Sequence, residues 1–271
     1  MSSTSKTSTF WEHLDELRSI LLKIAFVAVL SGVVAFLFKD VIFEIVFAPK
    51  NDDFITYRWL EKIGDIFSKD TIDSFSVNLI NTGLAQQFVV HMKTAFCFGF
   101  LVTSPYIIYQ LFRFVSPALY EDEKKYAVQV VGGGYLMFMI GVLSGYLLIF
   151  PLTFRFLGTY QVSAEVVNMI SLDSYMSTLV LICMAMGIVF ELPVVSWMFA
   201  KMGFLRSSFM KQYRKQAIVG ILIAAAIITP TSDAFTLLAV SLPMYLLYEV
   251  SIFLVKVTER PKEDTLAILS A

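Results

Sequence analysis

The sequence predicts an all-α integral membrane protein with six transmembrane helices, and three observations support this fold class. Of the 271 residues, 57% are hydrophobic and only 16% are charged, whereas soluble domains are about 45–50% apolar and about 25% charged. The mean hydropathy is +0.73. The apolar residues also fall into six runs separated by polar breaks. Together these features make a water-soluble enzyme a poor description of the chain.

The first four apolar runs are each long enough for a transmembrane helix, which needs about 20 residues. The predicted spans, in order, are 20–38, 88–112, 126–150, 175–200, 216–229 and 234–255. The fifth run forms only about 21 Å of helix, which is shorter than a hydrocarbon core of about 30 Å. We therefore expect short fifth and sixth helices in a hairpin that either stops before the far surface or thins the bilayer.

The charges of the loops predict that both termini are cytoplasmic, because Lys and Arg concentrate on the cytoplasmic side of membrane proteins. With the N-terminus inside, 14 of the 21 Lys and Arg residues lie on that side, six lie outside and Lys93 lies within the second span. The predicted organisation is a cytoplasmic N-terminal segment 1–19, a membrane domain 20–255, outer loops 39–87 and 151–174, cytoplasmic loops 113–125 and 201–215, and a cytoplasmic tail 256–271.

Common catalytic and ligand-binding motifs do not occur in the sequence. It has no G-x-x-x-x-G-K-[ST], H-E-x-x-H or G-x-S-x-G. Cys97 and Cys183 lie in apolar runs and are interpreted as small hydrophobic residues. The net charge of −1 provides no overall basic field for nucleic acid. We predict that the protein is not an enzyme and has no cofactor, no metal and no nucleic-acid partner.

Gly141 and Gly145 form a small-xxx-small pattern in the third span. Such a pattern lets two helix backbones approach closely. Close helix packing is therefore the favoured interpretation of these two glycines.

Glu191 is the strongest candidate for an intramembrane functional residue. It lies ten residues before Lys201, which predicts a position about 15 Å from the cytoplasmic end, near the midplane. An acid there costs about 2.5–3.5 kcal/mol on insertion scales. Pro193 is expected to kink the helix and free nearby carbonyl groups. The alternative is a protonated Glu191 bonded to a neighbouring helix, while Lys93 and Glu249 are expected to snorkel.

Two acidic groups stand beside apolar residues on the predicted cytoplasmic side, which is otherwise rich in Lys and Arg. The first occupies residues 10–18, with the sequence FWEHLDELR, and the second occupies residues 114–123, with the sequence FVSPALYEDE. From these residues alone, two interpretations are possible: a solvated charged loop and a functional acidic patch.

These residues carry a resemblance to the TatC family, the multi-spanning receptor subunit of the twin-arginine protein translocase. Residues 13–18 resemble its amino-terminal H-L-x-E-L-R signature, and residues 114–123 resemble its first cytoplasmic loop, F-x-x-P-x-L-x-x-x-E. The further similar segments are 104–110 (SPYIIYQ), 190–193 (FELP), 229–233 (TPTSD), 243–245 (PMY) and Glu249. The similarity runs in order over nearly the whole chain.

The resemblance implies both a fold and a function. The fold would be a concave, glove-like bundle of six helices in the bacterial cytoplasmic (inner) membrane. The protein would bind signal peptides that bear paired arginines, and it would help to move folded proteins across the membrane using the proton-motive force.

The resemblance also implies a signal-peptide site in which Glu16 and Glu123 contact the arginine pair. Guanidinium groups pair bidentately with carboxylates, so two arginines need at least two acids. The implied site residues are Glu16, Leu17, Arg18, Phe114, Pro117, Leu119, Tyr120 and Glu123.

A second implied site would receive single-span partners of the TatA and TatB type. Its residues are Glu191, Pro193, Thr229, Asp233 and Leu237. Glu191 would face a lipid-open cavity, and the short fifth and sixth helices would form the partner-binding edge. Leu237 stands where some members carry a glutamine that pairs with a partner helix. Copies of the chain would also associate with one another.

Two other classes of function are alternatives to a translocase. A proton-coupled secondary transporter of a small solute would use Glu191 as a proton relay. The sequence disfavours this class, since it shows no inverted repeat and few midplane polar residues. An intramembrane enzyme would need a catalytic dyad that the sequence does not offer.

Overall fold

The computed structural model describes residues 10–59, 78–115, 127–163, 168–229 and 233–269, and almost all of them are helical. The elements are α1 (Phe10–Leu37), α2 (Lys39–Phe47), a 3-10 turn (Ala48–Lys50), β1 (Leu79–Ile80), α3 (Gln86–Val115), α4 (Ala127–Ser144), a π-helical segment (Gly145–Ile149), α5 (Phe150–Thr159), β2 (Ile170–Ser171), α6 (Leu172–Phe190), α7 (Leu192–Lys201), α8 (Ser207–Gln212), α9 (Arg214–Ile228) and α10 (Ala234–Leu269). Residues 55–59 are also helical. The prediction of a helical protein is confirmed.

Five helical stretches in the described part of the chain are long and apolar enough to cross a membrane. They are Leu14–Leu37, Gln86–Phe114, Val130–Thr159, Leu172–Lys201 and Ala234–Glu259. These stretches correspond to predicted spans one to four and six. The predicted fifth span corresponds to α9, whose 15 residues extend only about 22 Å. The third stretch continues to Thr159, whereas the sequence predicted an end at Phe150.

Helix α4 and the π-helical segment that follows it pack closely on α6 at two glycines. A methyl group on Gly141 would lie 2.5 Å from the carbonyl oxygen of Met186, and one on Gly145 would lie 3.0 Å from Cα of Cys183. No larger side chain fits at Gly141 without displacing backbone atoms. The interpretation of this small-xxx-small pattern as a close packing surface is confirmed.

Helix α3 runs without interruption through Pro105. Proline has no N–H group to donate to the carbonyl four residues earlier, which here belongs to Leu101. The Ser104 hydroxyl donates a hydrogen bond of 2.7 Å to that carbonyl oxygen. The polar group freed by the proline is therefore satisfied inside the helix.

The segment after the 3-10 turn docks on the junction of α4 and α5. Pro151 cannot donate to the Leu147 carbonyl, and the hydroxyl of Thr56 donates to that carbonyl instead. The buried Tyr57 hydroxyl donates to the carbonyl oxygens of Pro49 at 3.0 Å and Pro151 at 3.2 Å. Burial raises the pKa of Tyr57, so its hydroxyl keeps its proton and stays a donor.

An aromatic cluster and a strand pair join the helices at one end of the bundle. The Tyr175 ring lies 5.1 Å from that of Phe150 and 5.0 Å from that of Phe154, and its hydroxyl donates to the Val46 carbonyl at 2.8 Å. Strands β1 and β2 pair in parallel just before α3 and α6. We call the end of the bundle that contains β1 and β2 the strand end. The opposite end, where α1 and α4 begin and α3 and α7 end, is the N-terminal end.

Candidate functional site

Helices α1 and α3 are antiparallel, and their backbones touch. A methyl group on Gly99 would lie 2.4 Å from the backbone nitrogen of Gly32. Glu16 precedes Gly32 by 16 residues and Phe114 follows Gly99 by 15 residues. Each separation corresponds to about 22–24 Å of helix. Glu16 and Phe114 therefore lie at a similar height at the N-terminal end of the bundle.

The described members of the predicted signal-peptide site are accessible at this end. Glu16 and Arg18 are exposed, while Leu17 and Phe114 are half-buried. The other predicted members, Pro117, Leu119, Tyr120 and Glu123, lie outside the described residues. The acidic pair predicted from the sequence therefore stays a prediction.

Glu191 occupies a break between α6 and α7, as the sequence predicted from Pro193. Its backbone is at φ −74° and ψ −13°, and its N–H donates to the Ile188 carbonyl at 3.1 Å. Pro193, which is buried, has no N–H to continue the α-helical pattern to the Val189 carbonyl. The break leaves the Glu191 side chain at the junction of the two helices.

Glu191 lines an apolar cavity of about 310 Å³ between α3, α4, α6 and α7. It is the one ionisable residue among the described lining residues, and Ser104 is the one other polar residue. The Oε1 atom of Glu191 is buried and has no hydrogen-bond partner among the described residues. A methyl group on Gly134 would lie 3.3 Å from Oε2. The cavity is thus lined by a carboxylate that has one oxygen without a hydrogen-bond partner among the described residues.

The sequence-based expectation of a midplane position for Glu191 stays a prediction, and the structure places the residue relative to the helix limits. The side chain faces Gly134, which lies seven residues, or about 10 Å, after the start of α4. Within the candidate span Leu172–Lys201, Glu191 is ten residues from one limit and 19 from the other. It therefore lies about 15 Å from the Lys201 limit of this span, on the N-terminal side of the span's middle.

Of the remaining predicted cavity residues, Thr229 follows the end of α9, Asp233 precedes α10 and Leu237 lies in the first turn of α10. The Thr229 hydroxyl donates to the Ala225 carbonyl at 3.0 Å. Asp233 Oδ2 accepts a bond of 2.7 Å from the N–H of Thr236, so Asp233 caps the start of α10. Leu237 packs, half-buried, against the main apolar core.

The start of α10 also lies at the strand end, because the Phe235 ring stacks on Phe156 of α5 at 4.4 Å. Thr229 and Asp233 are next to this point in the chain, whereas Glu191 lies towards the N-terminal end. The structure therefore brings Glu191 and Pro193 together. Thr229 and Asp233 lie at a different position along the length of the bundle, nearer the strand end.

Two ion pairs were not anticipated from the sequence. Lys93 Nζ lies 2.8 Å from Asp173 Oδ1, and Arg214 Nη2 lies 2.7 Å from Glu249 Oε2. The Tyr245 hydroxyl donates to the other Glu249 oxygen at 3.1 Å. The partners are 80 and 35 residues apart in the chain, so no local pattern signals them. Half-exposed pairs of this kind contribute about 0–1 kcal/mol to stability.

The described residues provide no group of three or more His, Cys, Asp or Glu side chains that could hold a metal ion. Cys97 is a half-buried free thiol and Cys183 a buried one.

Comparison with known proteins identifies relatives along almost the whole chain. The family model described as "Sec-independent protein translocase protein (TatC)" matches residues 12–243. A protein of that description from Blattabacterium sp. subsp. Periplaneta americana is 34% identical over 259 residues, covering 94% of this chain and 97% of the relative. One from Aquifex aeolicus is 34% identical over 257 residues, covering 93% and 97%. A crystal structure of "Twin Arginine Translocase Receptor- TatC" is 32% identical, with a TM-score of 0.74, over 92% of this chain and all of that chain.

Proposed function

The chain belongs to the TatC family of Sec-independent protein translocase proteins, a family of non-enzymatic transport components, and from that membership we propose that it is the receptor subunit of a twin-arginine translocase. In this proposal it binds twin-arginine signal peptides at its cytoplasmic face. It recruits single-span partners of the TatA and TatB type and associates with copies of itself. The assembly moves folded proteins across a bacterial inner membrane, driven by the proton-motive force.

The antiparallel register of α1 and α3 is the observation that carries this proposal. Glu16 is level with the end of α3, and from there the chain continues into residues 116–126, which contain Glu123. The start of α4 at Ala127 belongs to the same end of the bundle. Ala127 is four positions after Glu123, a separation of at most about 14 Å. This connectivity supports two carboxylates on one face of the membrane.

The chemistry of these side chains suits a peptide with two arginines. Each guanidinium can form two parallel hydrogen bonds with one carboxylate, which a lysine cannot reproduce. Phe114 is half-buried and Leu17 is half-buried beside Glu16, so both offer apolar contacts to the stems of the arginine side chains. Specificity for arginine follows from this combination of paired acids and apolar surface.

The proposed topology has six spans with both termini in the cytoplasm. Five candidate spans and the 15-residue helix α9 support this number. The excess of basic residues on the side that holds the N-terminal end supports the orientation. Helix α9 then requires a thinner bilayer around it.

Glu191 is the proposed contact for a polar group on a partner helix. An unpaired polar atom in an apolar site is costly, and a donor from a partner would remove that cost at Oε1. The α9–α10 connection with Thr229, Asp233 and Leu237 is proposed as part of the same partner-binding edge. The exposed apolar side chains of Leu238 and Leu242 on α10 support a helix or lipid contact there.

Signal-peptide binding tests the proposal. A photo-crosslinking residue at position 123 should capture a twin-arginine signal peptide in membrane vesicles. Glu16→Gln and Glu123→Gln should each weaken binding about ten- to hundredfold, because a hydrogen bond to a charged group is worth about 1.5–3 kcal/mol. Asp15→Asn, at an exposed neighbouring carboxylate, is the matched control and should bind normally.

Unchanged signal binding in both Glu variants would contradict the proposed pocket. Equal losses in the Asp15→Asn control would indicate a general charge effect rather than a site. The family assignment favours the translocase over a small-solute transporter. Solute uptake by this chain alone in proteoliposomes would reverse that preference.

A further inference from the structure

A second cavity opens at the strand end of the bundle, away from Glu191. Its volume is about 640 Å³, within the range of about 300–1,000 Å³ that is typical of ligand sites. Basic side chains, amide side chains and apolar side chains line it together. We propose that this cavity binds the phosphate-bearing headgroup of an anionic phospholipid from the adjacent membrane leaflet.

The charge of the cavity favours an anion. Lys39 and Lys50 both line it, and no carboxylate does so among the described residues. Neither lysine forms an ion pair with another described residue. An ammonium group binds phosphate oxygens as a compact positive charge. The two lysines also stand out because basic residues are the minority on this side of the protein.

The periodicity of α2 and the 3-10 turn places both lysines beside an apolar surface. Lys39, Phe43, Phe47 and Lys50 recur at intervals of three or four residues, so they share one face of the helical segment. All four line the cavity. A ligand on this face therefore meets positive charge and aromatic surface together, which suits an amphiphile rather than a small inorganic ion.

The level of the cavity in the molecule indicates a membrane lipid. Lys39 lies two residues beyond the limit of the candidate span Leu14–Leu37. Phe88 and Leu172, which also line the cavity, lie within three residues of the start of two other candidate spans. At this level apolar helix gives way to polar loop, which is where phospholipid headgroups lie.

The polar groups around the lysines can complete the headgroup contacts. Asn51, Asn81 and Gln87 line the cavity, and their amide groups are donors for phosphate or glycerol oxygens. His91 also lines it, but its Nε2 is already 3.1 Å from the Phe36 carbonyl oxygen. The lysines and amides, rather than the histidine, are therefore the expected anion contacts.

Native mass spectrometry of the full-length chain in a neutral detergent tests this site. Titration with phosphatidylglycerol should give a retained lipid, and titration with phosphatidylcholine should give about tenfold weaker retention, because a charge-assisted contact is worth about 1.5–3 kcal/mol. Lys39→Gln with Lys50→Gln should lose this preference. Lys39→Arg with Lys50→Arg should keep it, since the charge is preserved.

The matched control is Lys211→Gln with Lys215→Gln, which removes two charges from exposed lysines at the other end of the bundle. It should retain phosphatidylglycerol as the unmodified chain does. Equal retention of the two lipids by the unmodified chain would overturn the proposal, as would full retention by the Lys39 and Lys50 glutamine variant. Displacement of phosphatidylglycerol by millimolar inorganic phosphate would assign the site to free phosphate instead of lipid.

Discussion

At the scale of single residues, two neighbours determine the surroundings of Glu191. Pro193 interrupts the helix beside it, and Gly134 leaves space for its carboxylate across the α4 interface. Its Oε1 atom is buried and has no partner among the described residues. A buried polar atom of this kind favours a ligand that donates a hydrogen bond.

We predict that Glu191→Leu weakens the association of a single-span partner about tenfold or more, since the donor on the partner would be left unpaired in an apolar site at a cost of about 1–3 kcal/mol. Glu191→Gln, which still offers an acceptor, should retain more of the association. Co-purification of the partner with each variant measures the effect, and signal-peptide binding should stay near the unmodified level. A loss of thermal stability in the isolated chain with unchanged partner association would support an internal role for Glu191.

We predict that Gly141→Leu destabilises the protein by about 1–3 kcal/mol, because overpacking displaces neighbouring atoms. A side chain there would meet the Met186 carbonyl oxygen at 2.5 Å. Gly132→Leu on the same helix is the control, since a methyl group at Gly132 has no neighbour within 4 Å. Thermal unfolding in detergent should separate the two variants, and equal midpoints would contradict the packing argument.

The sequence predicted these residue-scale features only where a local pattern exists. Pro193 two positions after Glu191 predicted the helix break, and the spacing of Gly141 and Gly145 predicted the close packing. The Lys93–Asp173 ion pair could not be predicted, because its partners are 80 residues apart and meet only when α3 and α6 pack. Asp233 caps α10 through the N–H of Thr236, a role that a resemblance to a partner-binding segment does not reveal.

At the scale of elements, prolines direct how helices meet their neighbours. The helix at Pro105 satisfies its freed carbonyl through Ser104, whereas the helix at Pro151 uses Thr56 from a distant segment. The second solution ties the chain after α2 to the α4–α5 junction. It also explains why the third candidate span continues to Thr159, since the proline does not end the helix.

We predict that Tyr57→Phe loosens this docked segment. The change removes a buried hydroxyl that bonds to two carbonyl groups, at a cost of about 1–3 kcal/mol for the groups left unpaired. Limited proteolysis should then cleave the chain near residues 55–59 faster. Tyr160→Phe, at a ring that is 64% exposed, is the matched control. Equal cleavage of all three proteins would show that the hydroxyl does not secure the segment.

The composition of the sequence predicts where the helices begin and end more reliably than it predicts which elements contact each other. The apolar runs predicted the helices that correspond to spans one to four and six, and the shortness of the fifth run predicted α9. The paired strands β1 and β2 are two residues long, which is too short for a period-two pattern to appear in the sequence.

At the scale of the whole molecule, the proposed orientation places the N-terminal end in the cytoplasm. We predict that a membrane-impermeant maleimide labels a cysteine introduced at Gln161 in spheroplasts but labels one at Ser208 only after lysis. Both positions are exposed, and they lie at opposite ends of the bundle. Cys97 and Cys183 lie inside candidate spans, so the unmodified chain serves as the unlabelled control. The reverse labelling pattern would contradict the orientation.

Few residues of the first span are buried against the rest of the molecule. Only 17% of its most apolar window is buried, and its mean hydropathy is 2.6, so it is stable in lipid before any other helix arrives. Its main neighbour is α3, the next span to leave the ribosome. The native contact between these two helices involves no part of the chain that is made later. We therefore expect the later spans to assemble on α3 during insertion.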